Sequence, residues 1–320
     1  MIVFSTSTYF CQGDDFIRDG VRALLPEGLL AGGELWAPRT SCEFKGERQP
    51  LWRCARTVPS IKECLKGARA FVMAGTPAWM GGSLNEWWEA CIETKTPIWL
   101  IGVGRRMRAD EELLARAKPL IKVATTRDAN AGKMLAAAGI PFQRFLEPGF
   151  HAPYWKPKPK RFRMVMCYRH KQHGGEPEQA ERQAAYQMLF RKFRGRINRI
   201  VVHQADEIEI ARKLFGCRVF FSHEPRRYAE IYCQTQCYVG GRLHGAVPVL
   251  ACGGEAHLLY HADKTEALSA HADWLPVRVH EHADWDKIEP GLKCDKPAVR
   301  KAIEADKRAH AGYLRRALCG

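Results

Sequence analysis

At 320 residues, 46% of them hydrophobic and without a low-complexity tract, the chain has the size and composition of a globular protein of two ordinary domains. No apolar run approaches the roughly 20 residues that span a bilayer, and the opening Met1-Ile-Val-Phe lacks the basic segment and long apolar core of a secretion signal, so a cytoplasmic protein is expected. The formal net charge of +15 excludes a preference for cationic partners and suits a phosphorylated donor, an anionic or lipid-linked glycan, a membrane surface or nucleic acid.

Ile2 to Ser5 reads as a short buried strand. Gly13-Asp14-Asp15 opens a helix with apolar positions at Ile17, Val21 and Leu24. One of the two aspartates suits an N-cap, worth about 1 kcal/mol, which leaves the other to face the space beyond the strand end, where ligands of open α/β sheets sit. Residues 26–60 give no consistent pattern. Ala70 to Ala74 is a strand that ends on Gly75-Thr76-Pro77-Ala78-Trp79. Trp79, Trp87 and Trp88 suit either a sugar face or helix packing, and packing is the expectation for at least two of them. A helix over 83–95, strands over 97–104 and 121–125, and a helix over 129–138 follow. Strands alternating with helices predict a parallel, doubly wound sheet.

His151 to Lys160 carries three prolines in ten residues and reads as a semi-rigid linker. The alternation then resumes, with strands over 164–167, 199–203, 218–222 and 257–260 and helices over 177–195, 205–215 and 225–233. The chain therefore divides into an N-terminal Rossmann-like domain, 1–155, and a C-terminal one, 156–320, each an α/β sheet with helices on both faces, facing one another across a cleft. A last helix over 297–318, begun by Asp295-Lys-Pro297, closes the chain.

The most informative stretch is Cys237-Tyr-Val-Gly-Gly-Arg-Leu-His-Gly-Ala-Val-Pro-Val-Leu-Ala-Cys252. A strand end, two glycines, a polar pair and a helix start, expected over 245–252, make an anion site from free N–H groups and the helix dipole. Arg242 adds a fork for a carboxylate or phosphate, and His244 a group that exchanges protons near neutral pH. The same spacing equally fits an Arg242 that pairs with a structural carboxylate and a His244 held in the core. Both readings stay open on the residues alone.

Gly241-Arg-Leu-His244 with its small-residue helix, Gly253, an apolar strand, Tyr260 and Lys264 resembles the signature of the polysaccharide pyruvyl transferases. The resemblance is closest over 228–270. It extends loosely to Gly13-Asp14, to Arg127-Asp128 and to Ala138-Gly-Ile-Pro141, while Cys11, Glu255 and the turn at 75 depart from the family pattern. It implies a fold of the glycosyltransferase B type with the last helix crossing back onto the N-terminal domain. It also implies a transfer of pyruvyl from phosphoenolpyruvate to a sugar diol, the saccharide acceptor being free or lipid-linked, with no cofactor beyond the donor. Arg242, Leu243, His244 and Gly245 would then hold the donor with Arg169 and Lys264. His244 would be the acid and Arg242 its partner in catalysis, while Asp14, as base or anchor, would join Asp15, Thr76 and Trp79 on the acceptor side.

Two other functions fit the same sequence: a glycosyltransferase that uses a nucleotide sugar, and a basic protein that binds nucleic acid or another anionic polymer. A peripheral membrane contact through the basic face of the last helix is a further expectation of the charge. The twelve cysteines are expected as reduced, buried thiols, since no Cys-x-x-Cys pair exists and Cys233 and Cys237 lack a second pair. No metal is expected either: His257 and His261, four residues apart in a strand, lie about 13 Å from one another. Oligomeric state leaves no mark on the sequence.

Overall fold

A computed structural model describes residues 1–5, 12–36, 61–75, 84–104, 110–170, 176–259, 265–292 and 295–320. Among them are two six-stranded sheets, parallel throughout. The first contains β1 (Ile2–Phe4), β2 (Glu34–Trp36), β3 (Ala70–Ala74), β4 (Ile98–Val103), β5 (Ile121–Thr126) and β6 (Gln143–Arg144), in the order β2-β1-β3-β4-β5-β6. The second contains β7 (Phe162–Cys167), β8 (Ile197–Val201), β9 (Val219–Phe220), β10 (Thr235–Gly240), β11 (Glu255–Leu259) and β12 (Val277–His280), in the order β12-β11-β10-β7-β8-β9. The inner strands are apolar on both faces, as Ile98–Val103 and Ala70–Ala74 show by being buried along their whole length. Helices on both sides of a parallel sheet require that pattern.

Read from β7, the second sheet runs third, second, first, fourth, fifth, sixth. That is the Rossmann strand order, and its switch point lies between β7 and β10, where connections leave in opposite directions. Gly240 permits the two strands to close there: a Cβ on it would stand 2.5 Å from the Cys167 carbonyl oxygen. The strand order puts the ends of β7 and β10 side by side, which the sequence alone did not reveal.

The compact units do not divide at the proline-rich linker. One is formed by the described parts of 1–9, 24–145 and 310–320, and the other by those of 10–23 and 146–309. The expected boundary at 155/156 therefore moves to 145/146, because Leu146, Phe150, Ala152 and Trp155 pack into an apolar cluster with Val165, Tyr228 and Leu250. The helix Gln12–Leu24 joins the same unit up to Ala23. Phe16 is fully buried, with its ring 5.0 Å from Trp155 and 5.6 Å from both His203 and Tyr228. Gly20, two turns after Gly13 on the same face of the helix, lies on the Pro148 backbone, where a Cβ would come within 1.8 Å of the carbonyl oxygen. The last helix, Lys296–Cys319, belongs to the second unit up to Ala309 and to the first from His310.

Trp87 and Trp88 are core residues, 2% and 1% exposed, and Trp87 stacks on Phe71 at 5.0 Å. Cys64, Cys91, Cys167, Cys233, Cys237 and Cys252 are buried thiols. Burial pushes the Cys91 thiol up to about 12 and the Cys167 thiol up to about 11.

Candidate functional site

At the end of β10 the backbone turns through Gly240 and Gly241 into a helix over Leu243–Ala251. The helix starts two residues earlier than its composition suggests, so Pro248 stands in its second turn rather than its first. Proline there removes the N–H that would reach the His244 carbonyl. Arg242 is the N-cap, in extended conformation, and caps with no side-chain bond. Two tyrosines fix the turn: Gly241 N donates to the Tyr186 hydroxyl at 2.9 Å, and the Tyr238 hydroxyl donates to the Arg242 carbonyl at 2.7 Å. Gly245 leaves room for the Tyr238 ring, which a Cβ would approach to 2.6 Å.

Arg242 is 7% exposed, and its guanidinium is paired with the fully buried carboxylate of Glu207. It also donates to Gln204 Oε1 at 3.1 Å. The same Glu207 oxygen accepts from the His170 backbone N–H at 3.0 Å, so one carboxylate ties the segment after β7 to the turn after β10. The structure thus gives Arg242 the structural ion pair, and its role as a free anion fork is revised: its charge is already balanced. Arg169, two residues past the end of β7, is half-buried, and its charge acts on the Tyr186 hydroxyl that accepts from Gly241 N.

His244 is 8% exposed, with Nε2 3.9 Å from the fully buried Glu147 carboxylate. Glu147 in turn accepts from Gly149 N at 3.3 Å and starts the short turn Pro148–His151. On its other side His244 meets Gly13, where a Cβ would stand 2.6 Å from Nδ1. Asp14, the next residue of the helix after Gly13, is 9% exposed. The expectation that it reaches the site from the opposite domain is corrected: helix Gln12–Leu24 is a part of the second unit. Asp15 forms an ion pair with Arg18 one turn on and is partly exposed. His203 lies behind, fully buried, its Nε2 2.7 Å from the Tyr232 hydroxyl. Burial first, and then the charges of Arg242 and His244, hold its imidazole well below the ordinary 6.5.

Of the sequence candidates, Asp14, Asp15, Arg169, Arg242, Leu243, His244 and Gly245 all belong to the second unit, and Leu243 is an apolar core residue there. Thr76, Trp79 and Lys264 lie outside the described residues, as do Cys11, Tyr260 and His261. Glu147 and Glu207 were missed. Their signals were a carboxylate directly before Pro148-Gly149 and one at a helix start, both of which read as ordinary caps.

No family model and no curated relative matches the chain. Solved structures do match it. The complex of Methanocaldococcus jannaschii UDP-GlcNAc 2-epimerase with UDP-GlcNAc and UDP is similar over 100% of this chain and 99% of its own, at 8% identity and TM-score 0.54. A Listeria monocytogenes putative UDP-N-acetylglucosamine 2-epimerase is similar over 98% and 90%, at 11% identity and TM-score 0.53. The S. aureus MnaA–UDP co-structure gives the same coverage and identity at TM-score 0.52. The chain therefore has the α/β fold of two Rossmann-like units that belongs to the glycosyltransferase B type.

Proposed function

We propose that this chain is a carbohydrate-active transferase that binds a small phosphorylated anion at the β7–β10 switch point. The donor in this reading is phosphoenolpyruvate, and the pyruvyl group passes to a sugar diol as a ketal. One observation carries it: the Gly240–Gly245 turn, which resembles the pyruvyl transferase signature, sits at the topological switch point, with Arg169 just past the neighbouring strand end and His244 against Gly13, the residue before Asp14. Phosphoenolpyruvate brings a phosphate and a carboxylate. Arg169 and the first-turn amides of helix Leu243–Ala251 supply positive potential for them. Arg242 contributes by position, holding the turn through Glu207.

In this reaction His244 gives a proton to the methylene carbon, which leaves C2 electrophilic. A sugar hydroxyl adds to C2 and passes its proton to Asp14. The C2–O bond to phosphate breaks and inorganic phosphate leaves, and the second hydroxyl closes the ketal as its proton passes to the now neutral His244. The carboxylates of Asp14 and Glu147 would stabilise the cation that develops at C2, and Arg169 the phosphate that leaves.

The whole-chain fold likeness favours a second reading, a nucleotide-sugar enzyme, since the M. jannaschii neighbour is a complex with UDP-GlcNAc and UDP. Thermal unfolding with each ligand separates the two. A ligand at 100 times its Kd stabilises by about 2.7 kcal/mol. Phosphoenolpyruvate should raise the midpoint in wild type and not in Arg169→Ala, with phosphate release on adding a saccharide acceptor. A midpoint raised by UDP alone gives the second reading instead. Stabilisation by neither, with salt-sensitive binding to a polyanion, overturns both.

A further inference from the structure

Away from the signature turn, the same sheet carries a group of side chains that the proposed chemistry does not use. Cys237 on β10 is in register with Glu255 on β11, and His257 follows Glu255 by two residues. All three therefore leave the same face of the sheet. That face also carries Val239 and Leu259, covered by Trp285 and Ile288. The Cys237 Sγ, a Glu255 carboxylate oxygen and a ring nitrogen of His257 lie within 4.8 Å of one another. Cys237 is 2% exposed and His257 fully buried.

His257 is the residue that calls for an explanation. Its Nδ1 is 2.9 Å from His280 Nε2, whereas its own Nε2 is buried and has no hydrogen-bond partner among the described residues. A buried polar atom left that way is costly, and such atoms are rare in folded proteins. A metal ion uses the lone pair that no donor reaches.

We propose that Cys237, Glu255 and His257 bind one divalent cation of the zinc type. The ligand set decides the class. A thiolate, an imidazole and a carboxylate suit zinc or cobalt(II), and the sulfur disfavours magnesium and calcium. Thiolate and carboxylate together balance the two positive charges, so the filled site is neutral beside Arg196 and Arg278, which act on Cys237 and His257. Loading releases the Cys237 proton to solvent. His257 Nδ1–H donates to His280, which fixes the tautomer and turns Nε2 to the ion, as outer partners of metal-bound histidines do. Glu255 is oriented in the same manner, since its carboxylate accepts from Gly291 N at 2.9 Å and Leu292 N at 2.5 Å. The ion would clamp β10 to β11 five residues before Arg242, as a structural site distinct from the donor corner.

The test uses the full chain, prepared metal-free and titrated with cobalt(II) and then zinc. Expected are one equivalent per chain, a near-ultraviolet thiolate-to-cobalt band displaced by zinc, and a raised thermal midpoint. Cys237→Ser should abolish the band, His257→Gln should weaken binding at least tenfold, and His280→Ala roughly 10–100-fold. The proposal is overturned if wild type shows no band, if the band survives in Cys237→Ser, which would assign it to other cysteines, or if His257→Gln binds as tightly as wild type. Should Cys237→Ser not fold, His257→Gln and Glu255→Gln decide in the same way, because the amide oxygen that the second substitution leaves at that position still accepts from Gly291 and Leu292. Neither result depends on the identity of the donor.

Discussion

Glu207 is fully buried and holds Arg242 and the His170 backbone together. Removing either member of such a pair leaves a charge in a medium that solvates it poorly, so Glu207→Gln and Arg242→Ala should each cost about 3–5 kcal/mol in denaturant unfolding. The double replacement Arg242→Met with Glu207→Leu should cost less than the two singles together, since no charge is then left alone. His203 sets a pH dependence. Its folded-state pKa lies well below 6.5, so below pH 6.5 the unfolded chain takes up a proton that the native chain does not. This contribution to stability is complete above pH 6.5 and is lost as pH falls from there toward the folded value. A urea series across that range should show the slope in wild type and a smaller one in His203→Gln. At this scale the sequence displayed Arg242, His244 and Asp14 as chemical groups. It did not display their partners, because Glu207 and Glu147 are 35 and 97 residues away from them in the chain.

The helix Gln12–Leu24 owes its docking to glycines on one face. Gly13 lies against His244 and Gly20 against the Pro148 carbonyl. A methyl at position 20 would meet backbone, which cannot rotate away, whereas one at position 13 would meet a side chain. Gly20→Ala should therefore destabilise by about 1–3 kcal/mol or more in spite of alanine's better helix propensity. Gly13→Ala should lower the thermal midpoint less while displacing His244. Its diagnostic is reduced stabilisation by phosphoenolpyruvate relative to the fall in midpoint. The apolar spacing of Ile17, Val21 and Leu24 made this helix legible. The surface that it packs on was not legible, since a helical stripe states that a face is buried and not against what.

In the whole molecule, the last helix serves two units. His310 is fully buried in the first, with Nε2 3.0 Å from the Thr125 hydroxyl and its ring stacked on Phe145 at 4.2 Å. Thr125 Oγ1 also accepts from Gly102 N at 2.7 Å, so its hydrogen is free to donate to His310. A chain ending at Ala309 should lose the first unit's stability while the second keeps its own. Hydrogen exchange would show early loss of protection in β4 and β5 and retained protection in β7 and β10. The excess of +15 should also give retention on a polyanion column that falls steeply with salt and is unchanged by Arg169→Ala, because one residue is a small part of that field.

The sequence by itself determined the two parallel α/β units, the glycine turn after β10 and the helix that follows. Hydrophobic period, glycine and proline placement act over a few residues and can be read locally. Only the tertiary structure decided that the Gln12–Leu24 helix belongs with the second sheet, that Arg242 faces Glu207, and that β7 ends beside β10. Those outcomes rest on contacts between segments far apart in the chain, where close packing and charge neutralisation select the partner from many that the local pattern allows.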